Sequence, residues 1–482
     1  MLHLYEKIAD EITEHIERGL YRPGDRLPGV RSLSRRRRVS IATAVAAYKR
    51  LEDEGVIEAR HRSGFFVRAR PRIAIVEPGP SLPAARPSPV TGQELVLRLV
   101  QAANDPDIVQ LGAAVPDPAF LPTREVERAL SAAARHHRVR ASSYEFPPGV
   151  PELRQQIARR MGEAGCAVHP DEMVITNGCQ EALTLALRAV TQPGDVVAIE
   201  SPTFYGLLQV MDSLGLEALE IPTDPREGIS LDALALALER WPVKACVVVP
   251  NYSNPLGYCM SDANKHRLVE MLTSRQVPLI EDDVYGDLGF GAQRPSICKG
   301  FAPEADVLYC ASFSKTLSPG LRIGWVAAGR RTERIEYLKY VSNLATATAP
   351  QLAVADLLES GRYERQLRRV RGEYKRAVAR MTDAVTRYFP QGTRVTRPEG
   401  GFVIWVELPG EVDSFDLARQ ALEAGISIAP GPIFSATQKY RRFLRLSCAC
   451  LWDGRTEAAV ATLGRMATRG RGTPSARPAV VE

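Results

Sequence analysis

The chain has 482 residues, of which 45% are hydrophobic and 24% charged, with a formal net charge of +6. That length exceeds one ordinary core and predicts two to four globular domains; no apolar run approaches the ~18 residues of a membrane span, and the charged N-terminus lacks the apolar stretch of a secretory signal. The charge is unevenly placed: residues 1–72 hold 16 Lys/Arg against 10 Asp/Glu, and the remaining residues hold 46 of each. Such a basic head on a neutral body predicts a polyanion-binding module.

The head, residues 1–68, reads as three helices and a hairpin. Leu4, Ile8, Ile12 and Ile16 fall four apart on one helical face. A Pro-Gly turn, "YRPGDRLP", leads to a short second helix, "VRSLSRRR". The third helix, "VSIATAVAAYKRLEDEG", has Ser40 as N-cap and Gly55 past its end. In it Ala44, Ala47, Tyr48 and Leu51 form the inward stripe, which leaves Ser40, Thr43, Ala46, Lys49 and Arg50 outward. "VIEARHRSGFFV" predicts two short strands around a turn at Arg62-Ser63-Gly64. Two helices joined by a tight turn and followed by a wing make a winged helix-turn-helix, whose last helix would enter a major groove of double-stranded DNA.

Residues 69–93 are rich in Pro, Ala and Arg and read as a semi-stiff linker. The body, residues 94–465, alternates helical stretches with the β-branched runs "EMVIT", "DVVAIE", "ACVVVP", "VPLIEDD" and "VLYCAS". That alternation predicts an α/β domain with a mostly parallel sheet. Residues 466–482 read as a disordered tail. The eight cysteines are scattered without a CxxC pair, which argues against a metal site and for reduced thiols in the cytoplasm.

The body carries chemistry where strands give way to loops. A pyridoxal 5'-phosphate site needs a lysine for the Schiff base and a carboxylate at the pyridine nitrogen. It also needs N–H donors and a cation for the phosphate, a stacking ring, and donors to the phenolic oxygen. "ITNGCQEAL" offers the N–H groups of Gly178, Cys179 and Gln180 at a helix start. "SPTFYG" offers Phe204 and Tyr205, "NYSNPLG" offers Asn254, and "PLIEDDVYGDL" offers Asp282 with Tyr285 three residues on. "ASFSKTLSPGLRIGW" offers Ser312, Lys315 and Arg322. Each motif is weak alone; their order and spacing reinforce one another.

The head resembles the DNA-binding domain of GntR-type regulators over residues 3–68. The resemblance implies that Arg31, Ser40, Thr43 and the wing residue Gly64 contact DNA. It also marks one departure, Arg38 where a turn glycine is usual. The body resembles fold-type I aminotransferases over residues 105–465. That likeness implies Lys315 as the Schiff-base lysine, Asp282 at the pyridine nitrogen, and Asn254 and Tyr285 at the phenolic oxygen. It implies Gly178, Cys179, Gln180, Ser312 and Arg322 at the phosphate and Phe204 on the ring. Tyr144 would reach the phosphate of the partner subunit, and Arg445, in "FLRLSCA", would grip a substrate carboxylate. Cys179 stands where Ser or Thr is more usual.

Head and body together resemble MocR-type regulators, including the GabR and PdxR groups. The resemblance implies a cofactor-binding transcription factor, a head-to-tail homodimer that reads a DNA operator and senses a small amino compound. Two alternatives compete with it: an active aminotransferase of an α-amino acid with an accessory head, and a DNA-binding dimer without cofactor.

Overall fold

A computed structural model describes residues 4–17, 20–22, 24–53, 56–60, 63–68, 76–84, 86–91, 96–97, 101 and 105–469. The chain divides into two compact units, Met1–Ile75 and Val76–Glu482. Gly55, Arg62, residues 69–75 of the expected linker and residues 470–482 of the expected tail lie outside the described residues.

The head contains α1 (Leu4–Glu17), α2 (Val30–Arg37) and α3 (Ile41–Asp53), followed by the antiparallel hairpin β1 (Ile57–Arg60) and β2 (Gly64–Val67). Its core is the expected stripe of Ala44, Ala47, Tyr48 and Leu51, packed on Ile8, Ile12 and Leu33. Leu4 is 56% exposed, so the inward face of α1 begins one turn later than its periodicity implies. Tyr48 joins α3 to the wing: its ring centroid lies 4.6 Å from that of Phe65, and its hydroxyl donates to the Pro28 carbonyl at 2.5 Å. Arg38 ends α2 at φ 53°, ψ 45°. An L-residue pays about 1–2 kcal/mol for that left-handed conformation, so the missing glycine has a real energetic consequence.

The body is built on a sheet whose strands lie in the order Ser88–Pro89, Glu217–Asp224, Val196–Ser201, Val243–Val248, Leu279–Asp282, Val307–Ser312, Gly324–Ala327, Met173–Thr176. Among the described residues, Gly324–Ala327 runs against the other six longer strands. The expected β-branched runs all form strands of this sheet, because strands buried on both faces need continuous apolar sequence. A smaller sheet pairs Val403–Glu407 with Phe443–Ser447, antiparallel. Among the described residues, no helix is long and apolar enough to cross a membrane.

Two boundaries differ from the expectation. Residues 76–84 and 86–91 of the expected linker are strapped to the body. Ser81 Oγ donates to the Ser201 carbonyl at 2.6 Å and accepts from the Thr223 N–H at 2.9 Å, and Ser88–Pro89 pairs with the edge strand at Glu217 and Ala218. The Pro-rich composition hides this because an edge strand tolerates proline. The last helix, Gly454–Arg469, continues past residue 465 into the stretch expected as tail.

Candidate functional site

Parallel strands place their C-terminal ends on one edge of the sheet, where open α/β folds bind ligands. Asp282 ends the strand Leu279–Asp282 and is 6% exposed. Its Oδ1 accepts a bond from the Cys179 thiol at 3.4 Å. Burial pushes the Asp282 carboxyl up to about 6, against the thiol, the Val284 N–H and the Lys315 ammonium, which favour the anion. Burial also drives the Cys179 thiol well above its usual range, helped by the Asp282 charge, so it stays a protonated donor. The residue expected to serve the phosphate through its backbone thus turns its side chain to the carboxylate.

Cys179 begins the helix Cys179–Val190, with Gly178 before it at φ 83° and no side-chain cap on the helix start. A Cβ at Gly178 would stand 2.6 Å from the Arg322 guanidinium. Only glycine lets Arg322 lie against this turn. Arg322, itself left-handed at φ 54°, donates to the Asn177 carbonyl at 2.7 Å. Uncapped helical N–H groups beside a guanidinium make an anion cradle. The buried Ser312 hydroxyl accepts from the Ser314 N–H at 3.4 Å. Gln180 bonds the Gly206 carbonyl at 2.9 Å through its side chain.

Lys315 follows the strand Val307–Ser312. Its Nζ donates to the Ala114 carbonyl at 2.7 Å. Burial, then the Arg445 and Arg322 charges, lower its pKa to about 8, against the pull of Asp282 and Cys179. Arg445 lies within the strand Phe443–Ser447 and is fully buried. One Nη donates to Asn254 Oδ1 at 3.1 Å, the other to the Gly112 carbonyl, and Nε has no partner among the described residues. Its guanidinium carbon lies 5.3 Å from the ring of Phe434 and 5.8 Å from that of Tyr205. Asn254 Nδ2 donates to the Tyr285 hydroxyl at 3.4 Å. Burial raises the Tyr285 phenol far above its usual range, so it remains a neutral donor. Phe204 stands before the helix Tyr205–Ser213 with its ring 4.9 Å from that of Tyr205.

Hydrogen bonds and charge coupling therefore connect Lys315, Asp282, Cys179, Arg322, Arg445, Asn254 and Tyr285. Tyr144 stands apart: it is 69% exposed and stacks on Phe146 at 5.5 Å. Sequence reasoning missed the Gly112 and Ala114 carbonyls, whose role is carried by backbone and leaves no residue-type signal. It also missed Tyr374, whose hydroxyl donates to the Lys315 carbonyl at 3.5 Å.

In the head, Arg31 is exposed on α2 and Gly64 opens β2 at φ 102°. Ser40 Oγ accepts from the Thr43 N–H at 3.0 Å and lies 2.8 Å from the Thr43 hydroxyl, so Ser40 caps α3. Arg50, expected outward, is half-buried and pairs with Asp10 of α1 at 2.8 Å. Arg37 pairs with Glu11 at 2.8 Å, while Arg35, Arg36 and Arg38 are exposed without an acidic partner among the described residues. Ile41 and Val45, one turn apart on α3, are 54% and 46% exposed. Apolar residue type alone marks both as core candidates, so their exposure is evident only in the fold.

This geometry defines a class of protein, an aminotransferase-type body joined to a helix-turn-helix head, and sequence similarity gives its family. Residues 106–463 match the model of aminotransferase class I and II, and residues 4–67 match that of the bacterial regulatory proteins of the gntR family. The chain belongs to the class I and II aminotransferase family and carries a gntR-family domain at its head, the composition of a MocR-type regulator. It is 42% identical to the uncharacterized HTH-type transcriptional regulator YjiR of Escherichia coli, over 92% of this chain and 94% of that one. It is 34% identical to the 2-aminoadipate transaminase of Thermus thermophilus, over 77% of this chain and 92% of the enzyme. Among solved structures, the body is similar to LysN, an α-aminoadipate aminotransferase of Thermus thermophilus complexed with N-(5'-phosphopyridoxyl)-L-leucine. That match has a TM-score of 0.71 and 31% identity, over 79% of this chain and 94% of that one.

Proposed function

We propose that the chain is a pyridoxal phosphate-dependent transcriptional regulator that binds a double-stranded DNA operator through its head and senses an amino compound in its body. One observation carries the reading: a lysine of lowered pKa, a buried carboxylate and a buried guanidinium with an unpartnered Nε converge at the sheet edge, in a chain with a gntR-family head. Relatives over nearly its whole length are named regulators, which favours regulation over turnover as the main role.

The residues present fit the cofactor. The uncapped helix start at Gly178, Cys179 and Gln180, with Ser312 and Arg322, suits its phosphate. Asp282 suits the pyridine nitrogen, Asn254 and Tyr285 the phenolic oxygen, Phe204 the ring face, and Lys315 the aldehyde carbon. When bound, the cofactor supplies an aldehyde that captures amines and a ring that withdraws electrons. Lys315 contributes an amine that is partly neutral near pH 8. Asp282 holds a proton at the pyridine nitrogen, because an adjacent cation restores the carboxylate that burial disfavours. Arg445 offers a planar fork to an α-carboxylate and gives up its bonds to Asn254 and Gly112 to do so.

In this reading the protein works as a head-to-tail homodimer in the cytoplasm, with Tyr144 reaching the site of the partner subunit. Arg31, Thr43, Gly64 and the free arginines of α2 contact DNA, Ser40 sets the start of α3, and Ile41 and Val45 meet thymine methyls. The ligand alters DNA binding to the extent that it prefers one arrangement of the dimer. A titration of cofactor-loaded protein with amino acids, followed by absorbance, tests the reading. Saturable spectral change with a subset of amino acids supports it; protein that stays colourless in excess cofactor defeats it.

A further inference from the structure

A second cleft, of about 600 Å³, lies between the helices Thr123–His136 and Arg362–Tyr388 and the turn at Pro118–Leu121. Five arginines line it, Arg124, Arg128, Arg362, Arg365 and Arg369, against one acid, Glu125. The body as a whole carries balanced charge, so this local excess is conspicuous. Arg362 pairs with Asp356 at 2.6 Å and Arg369 approaches Glu373 at 3.6 Å. Arg124, Arg128 and Arg365 are exposed and have no acidic partner among the described residues. Clustered guanidinium groups repel one another until an anion joins them, and their forks match phosphate and carboxylate oxygens. The volume lies in the range of small-ligand sites and is far too small to enclose a duplex.

The cleft also adjoins the chain segment whose carbonyls bond Lys315 and Arg445 of the candidate cofactor site. The Phe120 carbonyl accepts bonds from Gln366 at 3.0 Å and from Arg369 at 3.3 Å. A few residues earlier in the same segment, the Ala114 carbonyl holds Lys315 and the Gly112 carbonyl holds Arg445. The Phe120 ring stacks on Tyr374 at 5.2 Å, and Tyr374 bonds the Lys315 carbonyl. An anion that engages Arg369 competes with the Phe120 carbonyl for that guanidinium.

We propose that this cleft binds a small oligoanion, one with several phosphate or carboxylate groups, and that its occupancy draws Arg369 off the Phe120 carbonyl, leaves that carbonyl to Gln366, and loosens residues 112–121. Binding itself is independent of the cofactor reading; only its consequence for ligand sensing rests on that reading. The test uses the full chain and inorganic tripolyphosphate, without cofactor. Calorimetry should show saturable binding, weakened at least tenfold by Arg365→Ser and by Arg128→Ser and unchanged by Arg419→Ser on the exposed face of the helix Ser414–Glu423. Amide hydrogen exchange over residues 112–121 should quicken with tripolyphosphate in the wild type and not in Arg365→Ser. The proposal is overturned by absent binding, by equal loss in Arg419→Ser, or by unchanged exchange. It is also overturned if Arg365→Ser weakens operator binding while tripolyphosphate does not bind, which would make the cleft a DNA contact. Since no arm requires the cofactor, its failure and that of the cofactor reading remain distinguishable.

Discussion

Lys315 can capture a carbonyl only as the neutral amine, so its pKa sets the pH dependence of cofactor capture. Burial and the Arg445 and Arg322 charges bring that pKa to about 8, from a usual value of 10.5. The neutral fraction then rises about tenfold between pH 7 and pH 9 and flattens above; an unperturbed lysine would give roughly a hundredfold rise with no plateau. The assay follows the rate at which cofactor-free protein takes up pyridoxal phosphate, read as the absorbance of the lysine-bound form from pH 6 to pH 10. Arg445→Met removes the larger of the two repelling charges and should move the midpoint upward. A wild-type rate that climbs steeply through pH 10, or a midpoint indifferent to Arg445→Met, would refute the electrostatic reasoning.

Four further outcomes are expected. Asp282 has a folded-state pKa raised from 3.8 to about 6, so its burial costs stability that grows as pH rises through that window and is absent below pH 3.8. Asp282→Asn should therefore stabilise cofactor-free protein at pH 7 by up to ~3 kcal/mol and leave it unchanged near pH 3.5, as read by denaturant unfolding. Arg445→Lys should weaken an α-amino acid by roughly 1.5–3 kcal/mol while leaving the matched amine alone, in spectral titrations of the loaded protein. Arg38→Gly should stabilise the head by about 1–2 kcal/mol, seen as slower amide exchange in α3. Arg31→Ala should lower operator affinity by about 1–3 kcal/mol if it reads a base, and affinity of the wild type should fall steeply with salt in a filter or anisotropy assay.

The strand ends are legible in the sequence, because each carries its polar residue shortly after a run of mostly apolar ones. Asp282 after "PLIE" and Lys315 after "VLYCAS" follow from that pattern, and parallel packing brings them together. Gly178 was legible as a helix start, and its reason became clear only with Arg322 lying where a Cβ would be. The Cys179 thiol bond to Asp282 spans more than a hundred residues, so no local pattern announces it. The strap at residues 88–89 leaves no local signal, because edge pairing by two residues leaves little periodicity. The inward turn of Arg50 leaves no local signal, because helical position gives only a direction and the Asp10 carboxylate that draws it in sits on another helix.

The central claim joins the two units: occupation of the body by an amino compound changes what the head does. Operator affinity of cofactor-loaded protein, measured by anisotropy with and without a spectrally active amino acid, tests it directly. The wild type should shift by about fivefold or more, and Lys315→Ala, with its fold intact by calorimetry, should not shift at all. An affinity that the amino acid leaves unchanged in the wild type, or alters equally in Lys315→Ala, would contradict the account.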